Sequence, residues 1–108
     1  MGMVLVKFYA MIGDADGCHR GFRVIPKAAW EEEIAAFEKY LKEQNLHGIE
    51  VEDNNGYYDV SPKSWTVVEL FSTEVELLEK AFGKNYNGQI EYGTFKSPNR
   101  FYNSPLLF

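Results

Sequence analysis

At 108 residues, with 45% apolar and 16% aromatic side chains, the chain is too rich in core-forming residues for a disordered protein and too short for two separate cores. Its formal charge of −5, from 16 acids against 11 bases, argues against a nucleic-acid partner, and its single cysteine excludes an internal disulfide. No run is apolar and long enough to span a bilayer, and no basic leader with a small-residue cleavage site opens the chain, so a membrane-free, cytoplasmic protein is expected, a single α+β domain over 1–108.

Residues 3–12, MVLVKFYAMI, are dense in Val, Phe, Tyr and Ile and predict a central strand buried on both faces. The polar stretch GDADGCHRG, 13–21, follows as a loop, and GFRVI, 21–25, predicts a short extended piece pairing back on the first strand. Pro26 suits a helix start, and Trp30, Ile34, Phe37 and Leu41 then recur at steps of four, three and four, one stripe of a helix over 27–44. Its outer face carries Glu31, Glu32, Glu38 and Glu43. Asn45 before Leu46 predicts a left-handed cap.

HGIEVED, 47–53, alternates with Ile49 and Val51 inward, and Asn55-Gly56 predicts a hairpin into a short return strand over 57–60. SWTVVELF, 64–71, predicts another strand. Thr73 and Glu76 have capping-box spacing ahead of a second helix whose inward stripe is Val75, Leu78 and Phe82, closed by Gly83. Asn87-Gly88 turns the chain into a last strand, QIEYGTF, 89–95. The tail, 96–108, is apolar enough that it should cover the open face of the sheet or dock on a second subunit.

With the short return pieces set aside, the order is β-α-β-β-α-β, a ferredoxin-like α+β sandwich: an antiparallel sheet with both helices on one face. In that plan 3–12 and 64–71 are central strands, and 48–53 and 89–95 are edges. The rival reading is a meander in which 21–25 and 57–60 are full strands of a larger sheet.

The ferredoxin-like plan gathers three loops, 13–21, 53–63 and 84–88, at one pole, and loops on a rigid scaffold are where binding groups sit. Candidate ligand-binding residues there are Asp14, Asp16, His19, Arg20, Tyr57, Tyr58, Lys63 and Lys84. A calcium loop starting at Asp14 fails, because Cys18, His19 and Ile25 stand where an oxygen ligand, a glycine and a bidentate Glu are needed. Cys18 lacks a second cysteine, and adjacency to His19 in sequence does not orient a base toward its sulfur. No metal and no cofactor are therefore expected, and no nucleotide-loop or hydrolase motif stands in the chain.

Charge is unevenly spread: residues 1–27 sum to +2, 31–79 to −10 and 80–108 to +3. An acidic centre suits a protein partner with a basic surface and repels phosphates. The first reading is accordingly a non-catalytic interaction protein that uses Glu31, Glu32, Glu38 and Glu43, of the build of an inhibitor of a host defence or toxin protein (phage anti-defence or immunity type). The alternative is a module that holds a nucleotide or other small anion at the loop pole, possible as a homodimer through the tail or an edge strand. A third reading is an enzyme using Asp14, Asp16 or His19.

Overall fold

Strand β1 (Met3–Met11) sets the architecture, because its side chains divide cleanly between two environments. Val4, Val6, Phe8 and Ala10 are buried, whereas Leu5 is half-buried and Lys7 and Tyr9 are exposed. The strand is thus buried on one face rather than two, as period-2 alternation dictates when a single layer packs against it. The computed structural model describes residues 2–11, 18–53, 56–86, 88–93, 95 and 98.

The molecule is an α+β protein; its described residues form two helices of more than one turn and a four-stranded antiparallel sheet. After β1 come β2 (Cys18–Pro26), α1 (Lys27–Glu43), β3 (Ile49–Asp53), β4 (Gly56–Val60), a 3₁₀ turn at Pro62–Ser64, β5 (Trp65–Leu70), α2 (Ser72–Phe82) and β6 (Ile90–Gly93). The sheet order is β5-β1-β2-β6, and β3-β4 forms a separate two-stranded ribbon. Leaving β2 and β4 out, the succession is the expected β-α-β-β-α-β, with β1 central and β6 at an edge.

The strand order departs from the sequence expectation at β2. The stretch read as a short return piece is a nine-residue central strand, in register with β1 from Met3 opposite Pro26 to Met11 opposite Cys18. Since β5 pairs along the other side of β1, both of its edges are taken. No edge of β1 is left for β3, which pairs with β4 instead, and β5 becomes an outer strand rather than a central one.

Helix α1 lies on the face carrying Val4, Val6 and Phe8. Trp30, Phe37 and Leu41 are buried there and Ile34 is half-buried, the stripe its spacing predicted. They join one cluster with Ile25, Ile49, Val60 and Trp65, each buried side chain of this size contributing about 1.5–3 kcal/mol. Trp65 is its hub, with ring centroids 5.4 Å from Phe37, 5.7 Å from Trp30 and 6.0 Å from Phe8. The helix ends as predicted at Asn45, in the left-handed region at φ 56°, where the Leu46 N–H donates to the Leu41 carbonyl and the Asn45 N–H to that of Lys42.

Helix α2 approaches the other face, a second departure from the expected arrangement. Phe82 packs on Phe22 and Tyr92, each at 5.1 Å, and Phe22 stands opposite Lys7 in the register, away from α1. The helix has no fully buried residue, and of its predicted inward stripe Val75 and Leu78 are half-buried and Phe82 is more open. Its start lies two residues earlier than the Thr73 spacing suggests. The Phe71 N–H donates to the Glu74 carboxylate at 2.8 Å, which is the half of a capping box that a glutamate can supply. Most of the tail lies outside the described residues, but Pro98 is buried and Phe95 packs edge-on against Phe8 at 5.8 Å.

Candidate functional site

Two surfaces emerge from this fold, and neither is the loop pole that the sequence suggested. Asp14 and Asp16 fall in 12–17, outside the described residues, as do Asn54 and Asn55. His19 lies on β2 opposite Ala10, with its side chain outside the described set. Tyr57 and Tyr58 lie on β4, opposite Glu52 and Val51, and their side chains are likewise not described. Lys63, exposed in the 3₁₀ turn, precedes β5, whose first residue pairs with Phe8. It therefore belongs to the same end of the sheet as His19 and Arg20.

Lys84 does not join them. It precedes β6, whose first residue pairs with Val24 near the opposite end of β2. Six residues of strand separate that level from Cys18, about 20 Å at 3.4 Å per residue. Its Nζ is 3.3 Å from the Glu79 carboxylate, a surface ion pair at the end of α2. The antiparallel entry of β6 from the far end separates these basic residues.

The first surface is acidic. Among the described residues, four carboxylates have cationic partners: Glu33 and Glu91 at Arg23 (3.2 and 3.6 Å), Glu69 at Lys27 (3.3 Å), and Glu79 at Lys84. Glu31, Glu32, Glu38 and Glu43 are exposed on α1, and among the described residues none of them is in an ion pair. The same holds for Glu50 and Asp59, which stand directly opposite each other across the β3–β4 ribbon. Like charges directly opposite on neighbouring strands repel, at a cost of about 0.2–1 kcal/mol. His47, Glu50, Asp59 and Ser61 line a groove of about 460 Å³ beside that pair. Among the described residues, no three His, Cys, Asp or Glu side chains are grouped so as to hold a metal ion.

The second surface is the sheet face turned away from α1. Register builds it in rows: Thr66, Lys7, Phe22 and Tyr92 run across the four strands, and Tyr9 with Arg20 form the next row. These residues, with Leu5, line a shallow groove of about 680 Å³. The Arg20 guanidinium lies over the Tyr9 ring at 5.6 Å, and Tyr92 stacks on Phe22 at 5.8 Å with 27° between the ring planes. Tyr9 and Tyr92 remain 49% and 59% exposed. Arg23, by contrast, points to the α1 face and is consumed by Glu33 and Glu91.

Gly93 ends β6 at the rim of this groove. Its φ is +73°, and a Cβ there would lie 2.6 Å from the Arg20 carbonyl oxygen. Gly93→Ala should cost about 2 kcal/mol from the left-handed backbone alone. A thermal melt no lower than that of the wild type would refute this account of the strand end.

Of the groove residues, only Arg20 is among the candidate site residues legible in the sequence. Lys7, Tyr9 and Tyr92 were missed, although a signal existed. A lysine in the middle of an apolar strand marks a solvent-facing parity, and Tyr9 shares it. No family model matches the chain, and neither the curated proteins nor the solved structures provide a match. Among the described residues, no helix is long and apolar enough to cross a membrane.

Proposed function

We propose that the protein is a non-catalytic binding protein that engages a partner protein with a basic surface through its acidic side. The supporting observation is the division of the carboxylates. The fold pairs Glu33, Glu69, Glu79 and Glu91 with its own cations but leaves Glu31, Glu32, Glu38, Glu43, Glu50 and Asp59 exposed without one among the described residues. Both carriers of these acids, α1 and the β3–β4 ribbon, anchor in the same core cluster through Phe37, Leu41, Ile49 and Val60. The charges are thus held on rigid elements, and complementary potentials steer association and discriminate against wrong partners. A cationic partner would also relieve the repulsion between Glu50 and Asp59. Covering the basic working surface of its target, and so inhibiting it, is the mode of action this reading implies.

The test compares the protein with a variant carrying Glu31→Lys, Glu32→Lys, Glu38→Lys and Glu43→Lys, after a partner has been captured from the native host. Association at low ionic strength should slow by about tenfold or more in the variant, and the wild-type rate should fall steeply with added salt. Equal rates for the two proteins, or a rate indifferent to salt, would sink the proposal.

A further inference from the structure

Strand β5 is an outer strand of the sheet, and among the described residues it pairs along one side only, with β1. The other side of an outer strand presents backbone N–H and C=O groups that can receive one more strand. We propose that this edge pairs antiparallel with the β5 edge of a second copy of the chain, joining the two sheets across a two-fold axis.

The edge lacks the devices that usually block such pairing. Outer strands are shielded by a bulge, a proline, central charges or sheer shortness. β5 runs six residues, Trp65–Leu70, in unbroken register with β1, and its sequence WTVVEL holds neither proline nor glycine. At its centre stand Val67 and Val68, one on each face, 44% and 46% exposed. The far edge of the sheet is different: β6 spans four residues, carries Glu91 and ends at Gly93 with φ at 73°.

Both helices leave room for a second sheet. Val67 stands opposite Val6, which is fully buried on the α1 face, so the cover of α1 stops short of the β5 edge beyond Trp65. On the other face, α2 packs through Phe82 on Phe22 and Tyr92, which belong to β2 and β6. Phe71, directly after β5, is 78% exposed and lengthens the apolar margin.

Charge selects both the occupant and its direction. The exposed Lys63 stands just ahead of the strand, and Glu69 near its end is 71% exposed even with Lys27 at 3.3 Å. Parallel pairing of two copies would set lysine beside lysine and glutamate beside glutamate. Antiparallel pairing about Thr66 or Val67 brings Lys63 of each copy alongside Glu69 of the other, and symmetry makes that contact twice. Pairing over so short a strand belongs to the smallest interfaces, below about 1,200 Å² in total, so a weak, concentration-dependent dimer is expected.

Sedimentation velocity between about 10 µM and about 1 mM tests the proposal, and the monomer should give way to a dimer over that range. In the unmodified protein, the amides of Trp65–Leu70 should exchange more slowly at the higher concentration, while those of Ile90–Gly93 stay unchanged. Val67→Lys, at an exposed position, should weaken the dimer by about tenfold or more. Lys63→Glu and Glu69→Lys should each weaken it by about threefold or more, and the variant carrying both should recover. The proposal is overturned if the protein stays monomeric at about 1 mM, or if a dimer forms that Val67→Lys does not affect. Exchange over Trp65–Leu70 that does not depend on concentration would also overturn it, as when another segment of the same chain lies along the edge. So would a double charge variant no better than the single ones. The acidic-side reading rests on other residues, and failure here leaves it standing.

Discussion

Phe37→Ala should lower the unfolding free energy by about 3–5 kcal/mol, a large share of the roughly 5–15 kcal/mol that a domain of this size has in total. The Phe37 side chain is 0% exposed and meets the face of Trp65 edge-on at 5.4 Å. Truncation therefore removes transfer free energy and also leaves a cavity. Collapse into that cavity is obstructed, because the Trp65 ring beside it is itself held by Phe8 on β1 and Trp30 on α1. Both tryptophans of the chain sit in this cluster, so urea unfolding followed by tryptophan fluorescence reads the effect directly. The midpoint should fall with little change in slope. Phe37→Leu, which keeps most of the volume, should cost appreciably less. A loss below about 1 kcal/mol for the alanine variant would mean that α1 is not packed on the sheet as described.

The second large effect is expected at Arg23, where Arg23→Ala should cost about 3 kcal/mol. Its side chain is 11% exposed, inserted on the α1 face of the sheet. Nη1 lies 3.2 Å from Glu33 on α1, Nε lies 3.6 Å from Glu91 on β6, and the guanidinium covers the Phe95 ring at 5.6 Å. One cation thereby ties α1, β2, β6 and the segment after β6 together. The arrangement is under-satisfied at one point, because Nε is buried and makes no hydrogen bond. Such a group costs more to disrupt than it contributes when intact, since removing the arginine takes the cation from Glu33, which is 19% exposed, while Glu91 keeps its exposure and the Asn85 amide. Arg23→Met, which keeps the packing on Phe95, should recover a substantial part of the loss. In a double-mutant cycle with Glu33→Gln, the coupling should be about 0.5–3 kcal/mol. An Arg23→Ala variant within about 0.5 kcal/mol of the wild type would show that the cluster is only a surface feature.

Local patterns were legible wherever one residue type imposes one geometry. The steps of four, three and four from Trp30 to Leu41 yield the buried stripe of α1, and Asn45 takes the left-handed conformation that its place before Leu46 suggested. β3 and β4 pair antiparallel on either side of the Asn-Gly signal, with Gly56 already in β4 opposite Asp53. The early part of β2 was not legible. Cys-His-Arg-Gly lacks the apolar density of a central strand, and such a stretch becomes one only because β1 offers a continuous row of hydrogen-bonding groups opposite it.

The candidate site was obscured for a related reason. The apolar density of 3–12 points to burial on both faces and so hides Lys7 and Tyr9, although the parity of Val4, Val6, Phe8 and Ala10 separates them from the core. A loop pole was expected because the ferredoxin-like order brings three loops to one end. Once β6 pairs with β2 and starts at Val24, Lys84 is carried to the far end of the sheet and the basic residues part company.

The sequence by itself determined the α+β class, the existence of both helices, the apolar face of α1 and the acidic character of the middle of the chain. These follow from periodicity, capping chemistry and formal charge, which act over a few neighbouring residues. Only the tertiary structure decided which strands share an edge, which face each helix covers and which charged groups find partners. Each of those outcomes depends on competition for the two edges of β1 and on contacts between residues far apart in the chain. That competition separates Arg23, enclosed by carboxylates on one face, from Arg20, stacked on Tyr9 on the other.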